Sequence, residues 1–202
     1  EHLDVVTWIY ALKQDNTSLK AYVDDVREYP EISILLVSLK QTGTAERIVN
    51  LIHRAIPYPL LLICSHQDTV MFSIALKRFS LAEKGTIIVE EVLNSGWINL
   101  ESISSNELSF IRSLAIDTKL YLSFLDLYKG WEASLIALAC SKHTGKLLIK
   151  HDSTIERKEL LERCLALQGE IAYLRSAIKK ETQMNKKVDM NTRINELKLL
   201  YQ

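Results

Sequence analysis

The acids Asp24, Asp25, Glu28 and Glu31 stand before an apolar run, Ile32 to Leu39, that ends at Lys40. This is the grouping in the chain that comes nearest to catalytic chemistry. Metal-dependent nucleases of the restriction type place one carboxylate before a strand and Glu-x-Lys on it. The two acids hold magnesium and the lysine stabilises the attack. Here the residue two before Lys40 is Ser38. Magnesium loses a ligand at that point, so Lys40 reads better as the solvated end of an internal strand. Glu90 and Glu91 lie in a later β-branched run with no lysine beside them.

Other chemistries fare worse. The histidines His2, His53, His66, His143 and His151 are never two or four apart, and Cys140-x-x-His143 has no second pair to complete a zinc site. The six glycines are scattered singly, so there is neither a phosphate-binding loop nor a dinucleotide fingerprint. No catalytic residue, metal ligand or cofactor is assigned. Lys40, Lys77 and Arg78 follow strand-like runs and would form a small basic patch if they shared one edge of a sheet. A second basic group, Lys179, Lys180, Lys186 and Lys187, lies in the tail. Both are candidate nucleic-acid contacts of the kind that meet phosphates.

Composition narrows the class. Basic and acidic residues are equal at 25, so bulk charge selects no partner. Cys64, Cys140 and Cys164 are odd in number and far apart, as expected of buried free thiols in a reducing compartment. No run of eighteen apolar residues and no signal-peptide pattern occur, so a cytoplasmic protein without a membrane span is expected. The chain opens at Glu1 rather than Met, and a preceding segment is expected.

The elements that must position these residues follow from periodicity. His2 to Lys13 carries Leu3, Val6, Ile9, Tyr10 and Leu12 at helical spacing and predicts a helix. Gln14 to Tyr29 predicts a loop. Ile32–Leu39 predicts a strand covered on both faces. Thr42-Gly43-Thr44 is expected to cap a helix over Ala45–Ile56, stopped by Pro57 and Pro59. Strands are expected over Leu60–Ser65, Val70–Lys77 and Thr86–Leu93, with His66-Gln67-Asp68 as a hairpin turn. The fold class is α+β: a small mixed sheet with a β-α-β-β-β core, flanked by helices, with a long C-terminal helical arm. Helical pieces are expected at Glu107–Leu114 and Lys119–Tyr128. Leu147–Ile149 fits a helix or a short strand. The divisions are 1–100 as the core domain, 101–152 as a helical connecting segment and 153–202 as the arm.

The arm carries the clearest pattern. Ser153 or Thr154 starts it, with Ser153 three residues before Glu156 as in a capping box. Leu160, Cys164, Leu167, Ile171, Leu174 and Ile178 then form a narrow apolar seam. The seam turns polar at Glu181 and Asn185, passes Val188, and resumes at Asn191, Ile194, Leu197 and Tyr201. So thin a stripe on so long a helix requires a covering partner. The polar break from Lys179 to Asn191 fits amides that set coiled-coil register, a hairpin that folds the last segment back, or a basic face that meets phosphate.

Three stretches resemble an uncharacterised bacterial family, domain of unknown function 4391. They are Trp8-Ile9-Tyr10-Ala11-Leu12-Lys13; Ala55-Ile56-Pro57-Tyr58-Pro59 with Ala75-Leu76-Lys77-Arg78 and Val89-Glu90-Glu91; and Lys180 through Asn191. The resemblance implies a place beside helicases and DNA methyltransferases in restriction or phage-defence loci, and it brings no catalytic residue with it. It marks Tyr58, Lys77, Arg78, Gln183, Asn185, Lys187 and Asn191 as functional surface. The expectation is a non-enzymatic adaptor that docks on a helicase or methyltransferase subunit, or on a second copy, through the seam. The alternative is a restriction-type nuclease-like or DNA-binding module with a degenerate active site.

Overall fold

The structure is a computed structural model. It describes residues 3–83, 85–116, 120–149 and 154–201, the side chains of 200 and 201 apart. The chain divides into two units, Glu1–Asp152 and Ser153–Gln202.

The first unit opens with β1 (Leu3–Leu12) and a small hairpin, β2 (Tyr22–Val23) and β3 (Glu28–Tyr29). There follow β4 (Ile32–Leu39), α1 (Ala45–Ala55), β5 (Leu60–His66), β6 (Thr69–Phe79), β7 (Ile87–Asn94), β8 (Ile98–Asn99), α2 (Ser105–Ser113) and α3 (Phe124–Thr144). The main sheet runs β1-β4-β5-β6-β7, with β8 paired to β6. β4 and β5 are parallel, joined by α1, and the other pairs are antiparallel. The expected mixed α+β fold and its β-α-β-β-β core are therefore present, as β4-α1-β5-β6-β7. The β5–β6 turn is two residues, Gln67 and Asp68, and Gln67 takes the left-handed φ of 50° that such a tight reversal requires.

The helix expected over His2–Lys13 is instead the edge strand β1, antiparallel to β4 (His2 lies outside the described residues). Its composition explains the error. Val5, Val6, Thr7, Trp8, Ile9 and Tyr10 are β-branched or aromatic, and such residues fit a pleated surface. Bulges after Leu3 and Trp8 break the strict alternation that would have announced a strand.

Two layers of helix cover the sheet. On one face α1 buries Val49 over Leu35, Val37, Leu60, Leu62 and Cys64. On the other, α2 and α3 bury Phe110, Phe124, Tyr128, Trp131 and Leu135 against Ile32, Leu61 and Ile74. Residues expected to be a connecting segment thus build half of the core. Each of these helices begins at a serine: Ser104 with Glu107, and Ser123 with Asp126, complete capping boxes. By contrast, Thr44 makes no side-chain cap to α1. The piece expected at Lys119–Tyr128 is the start of a longer helix, α3, that begins at Phe124 and runs on to Thr144 (Lys119 lies outside the described residues). Leu147–Ile149 is neither helix nor strand.

The second unit is a helical hairpin: α4 (Thr154–Lys180), a three-residue connection, and α5 (Met184–Tyr201). Ser153 and its expected capping box lie outside the described residues, as does His151.

Candidate functional site

Among the described residues the sheet holds one buried polar group beneath α1. His53 is almost fully buried, and its Nε2 lies 3.1 Å from Ser73 Oγ. Burial, and after it the nearby Lys77 ammonium, push the imidazole pKa down from 6.5 to about 3. It is a neutral ring at every physiological pH. Lys77 is 5% exposed and donates from Nζ to the carbonyls of Ile56 (2.6 Å) and Tyr58 (2.7 Å). Burial lowers its pKa to about 8. The lysine ties the strand to the chain leaving α1, where Pro57 and Pro59 prevent further helical bonds. Ser33 Oγ and His53 Nδ1 are buried without a partner. A neutral imidazole beside a serine is the pairing that activates a nucleophile, but here both groups are sealed from solvent.

The first basic group does not assemble. β4 and β5 run parallel with Ser38 opposite Ser65, and β6 returns with Val70 opposite Ser65. Lys40 therefore emerges at the end of the sheet far from Lys77 and Arg78. Lys40 is exposed, Lys77 is spent on two carbonyls, and Arg78 pairs with Glu90 at 2.9 Å. Two of the four acids before β4, Asp24 and Glu31, are engaged as well. Asp24 accepts the amides of Val26 (2.8 Å) and Arg27 (2.6 Å) and the Tyr22 hydroxyl (2.8 Å). The Tyr22 hydroxyl, then those amides, hold its carboxyl below the usual range. Glu31 pairs with Lys13 at 3.4 Å. Among the described residues, no three His, Cys, Asp or Glu side chains converge as metal ligands.

The hairpin settles the polar break. Glu181 Oε1 accepts the amides of Thr182 (2.8 Å) and Gln183 (2.9 Å), and these bonds, ahead of Lys186 and Lys187, lower its pKa. The carboxylate thus holds the connection between the two helices, not a helical amide of α5. The seam is then covered by its own continuation. Ile171, Ile194 and Leu197 are buried, with Leu167, Leu174 and Ile178 packed around them. Arg193 reaches across to Glu170 of α4 (3.1 Å) and also pairs with Glu196 on its own helix (3.3 Å). The expected open seam is thus corrected over its middle. Leu160 (61%) and Val188 (53%) are the apolar residues along the seam that stay exposed among the described residues. With Arg193 beside Glu170, Tyr201 falls level with Glu162, so Ile155 and Leu160 lie beyond the reach of α5. Gln183, Asn185 and Asn191 face solvent rather than the seam.

The turn draws the second basic group together. Lys179 and Lys180 end α4, and Lys186 and Lys187 sit in the first turn of α5. The first three are exposed and Lys187 is half-buried.

Two surfaces had no forewarning in the sequence. One is β1, where Leu3, Val5, Val6, Trp8, Ile9 and Tyr10 are all exposed, Trp8 at 55%. The other is a cleft of about 590 Å³ at the start of α1, lined by Gly43, Glu46, Met71, Asn94, Trp97 and Lys142 among others. Thr42 and Gly43 were legible as a turn, but nothing placed Trp97 and Lys142 beside them.

The architecture is that of a mixed-sheet α+β domain followed by a helical hairpin, with no helix among the described residues long and apolar enough to cross a membrane. The chain belongs to the family described as Domain of unknown function (DUF4391), whose model matches residues 1–199. No curated protein and no solved structure matches it.

Proposed function

We propose that this protein is a non-enzymatic accessory subunit that docks on a helicase or methyltransferase subunit of a bacterial restriction or phage-defence system. The observation that supports the reading is the apolar strip along β1. Six large apolar side chains stand exposed on one ten-residue edge strand, with Asp4 its one charge. Edge strands in solution are ordinarily short, charged or covered. A contiguous apolar patch of this kind is the signature of a protein interface. The bare end of the arm, Ile155 and Leu160, offers a second apolar point. The nuclease-like alternative has less behind it, because Asp24 is committed to a turn and Glu31 to Lys13.

Co-expression with the helicase or methyltransferase subunit encoded beside it, followed by purification, tests the reading. A complex of fixed ratio is expected, weakened more than tenfold by Trp8→Glu. Loss with Leu160→Glu and not Trp8→Glu moves the interface to the arm. No complex with either subunit overturns the proposal.

A further inference from the structure

We infer that the tip of the helical hairpin is a contact for the phosphate backbone of a nucleic-acid duplex. The inference goes beyond the docking role, which rests on β1 and assigns nothing to the tip. Residues 179–187 carry four lysines against one acid, Glu181, in a chain whose formal net charge is zero. Glu181 has both its amide partners and its charge engaged in the turn itself. The three-residue connection brings the lysines of α4 and α5 onto one end of the hairpin, where flexible stems let each ammonium reach a separate phosphate.

Lys179 and Lys180 have a local explanation, since cations stabilise the last turn of a helix. Lys186 and Lys187 have only the single carboxylate of Glu181 to favour them. They occupy the first turn of α5, where the helix dipole disfavours positive charge. The first turns of α1, α2, α3 and α4 each hold an acid, Glu46, Glu107, Asp126 and Glu156, whereas that of α5 holds none. Glu181 offsets one of the four charges, and the surplus of positive charge left at an exposed tip, against the preference of the helix start, marks a site that serves an outside ligand. The ligand is polyanionic and extended, and the contact reads charge and spacing rather than base sequence.

The test uses the full chain and fluorescence anisotropy with labelled duplex DNA and duplex RNA of twenty base pairs. Four phosphate contacts predict an affinity that falls about 100-fold between 50 and 200 mM salt. Lys→Gln at 179, 180, 186 and 187 together should weaken binding at least tenfold at 50 mM salt and flatten the salt slope. Lys→Gln at the exposed lysines 20, 40, 129 and 198 removes the same charge elsewhere and should change affinity less than threefold. The two duplexes tell which nucleic acid is preferred, and tip-dependent binding of either supports the inference. It is overturned by equal loss in the two variants, by no binding at 50 mM salt, or by tighter tip-dependent binding to phosphatidylglycerol vesicles than to either duplex.

Discussion

Lowering the pH from 7 to 5 puts a proton on an unfolded histidine but leaves His53 neutral in the folded chain. The ordinary value of 6.5 falls to about 3 in the fold, first through burial and then through the Lys77 ammonium. Between those values the unfolded state binds a proton that the native state refuses. The contribution to stability is therefore complete above pH 6.5 and is lost as pH falls toward 3. Each pH unit in that window removes about 1.4 kcal/mol, so descent from 6.5 to 5 removes about 2 kcal/mol. That is a large share of the ~5–15 kcal/mol that holds a domain together. Urea unfolding followed by tryptophan fluorescence, which includes the buried Trp131, reads it directly. His53→Gln retains a hydrogen-bonding side chain toward Ser73 and does not titrate. The wild type should lose about 2 kcal/mol more than this variant between pH 7 and 5. Parallel loss in the two proteins would refute the assignment of a buried neutral imidazole, because carboxylates are common to both.

Two further outcomes test the packing. Tyr128 accepts the Ala75 amide at 3.0 Å and donates to Leu60 O at 2.9 Å, fully buried between β5 and β6. Tyr128→Phe leaves that amide unpaired and should cost about 1–3 kcal/mol in the same urea measurement; a neutral result would show that the amide finds another acceptor. Leu197 is 1% exposed at the centre of the hairpin seam. Leu197→Ala should cost about 2–4 kcal/mol and speed amide hydrogen exchange across α4 and α5 while leaving β5 and β6 protected. Acceleration in the strands too would show that the two units unfold together.

Residue order alone determined the elements whose patterns are local. Ile32–Leu39, Leu60 onward and Val70 onward are apolar runs of strand length that turn residues bound, and Pro57 and Pro59 end α1 wherever the rest of the chain lies. The same holds for the arm, because a stripe that recurs every three to four residues is one face of a helix whatever covers it. What covers it was decided in three dimensions. The turn that Glu181 holds through Thr182 and Gln183 made one long seam into two facing halves, so Leu167, Ile171, Leu174 and Ile178 found their cover in Ile194 and Leu197.

Tertiary structure alone also decided β1 and Lys77. The β1 residues satisfy helical spacing as well as strand propensity, and only the open ladder of β4 selects the strand. Lys77 and Arg78 are adjacent charges in the sequence. Strand pairing buries one against two carbonyls and gives the other to Glu90. Lys40 lies at the far end of the sheet from both, because β4 and β5 are parallel and β6 is antiparallel to them, so β6 ends at the opposite end of the sheet from β4. Local periodicity reports which side of an element is apolar. Which groups meet across elements depends on register and direction, and these are properties of the assembled sheet.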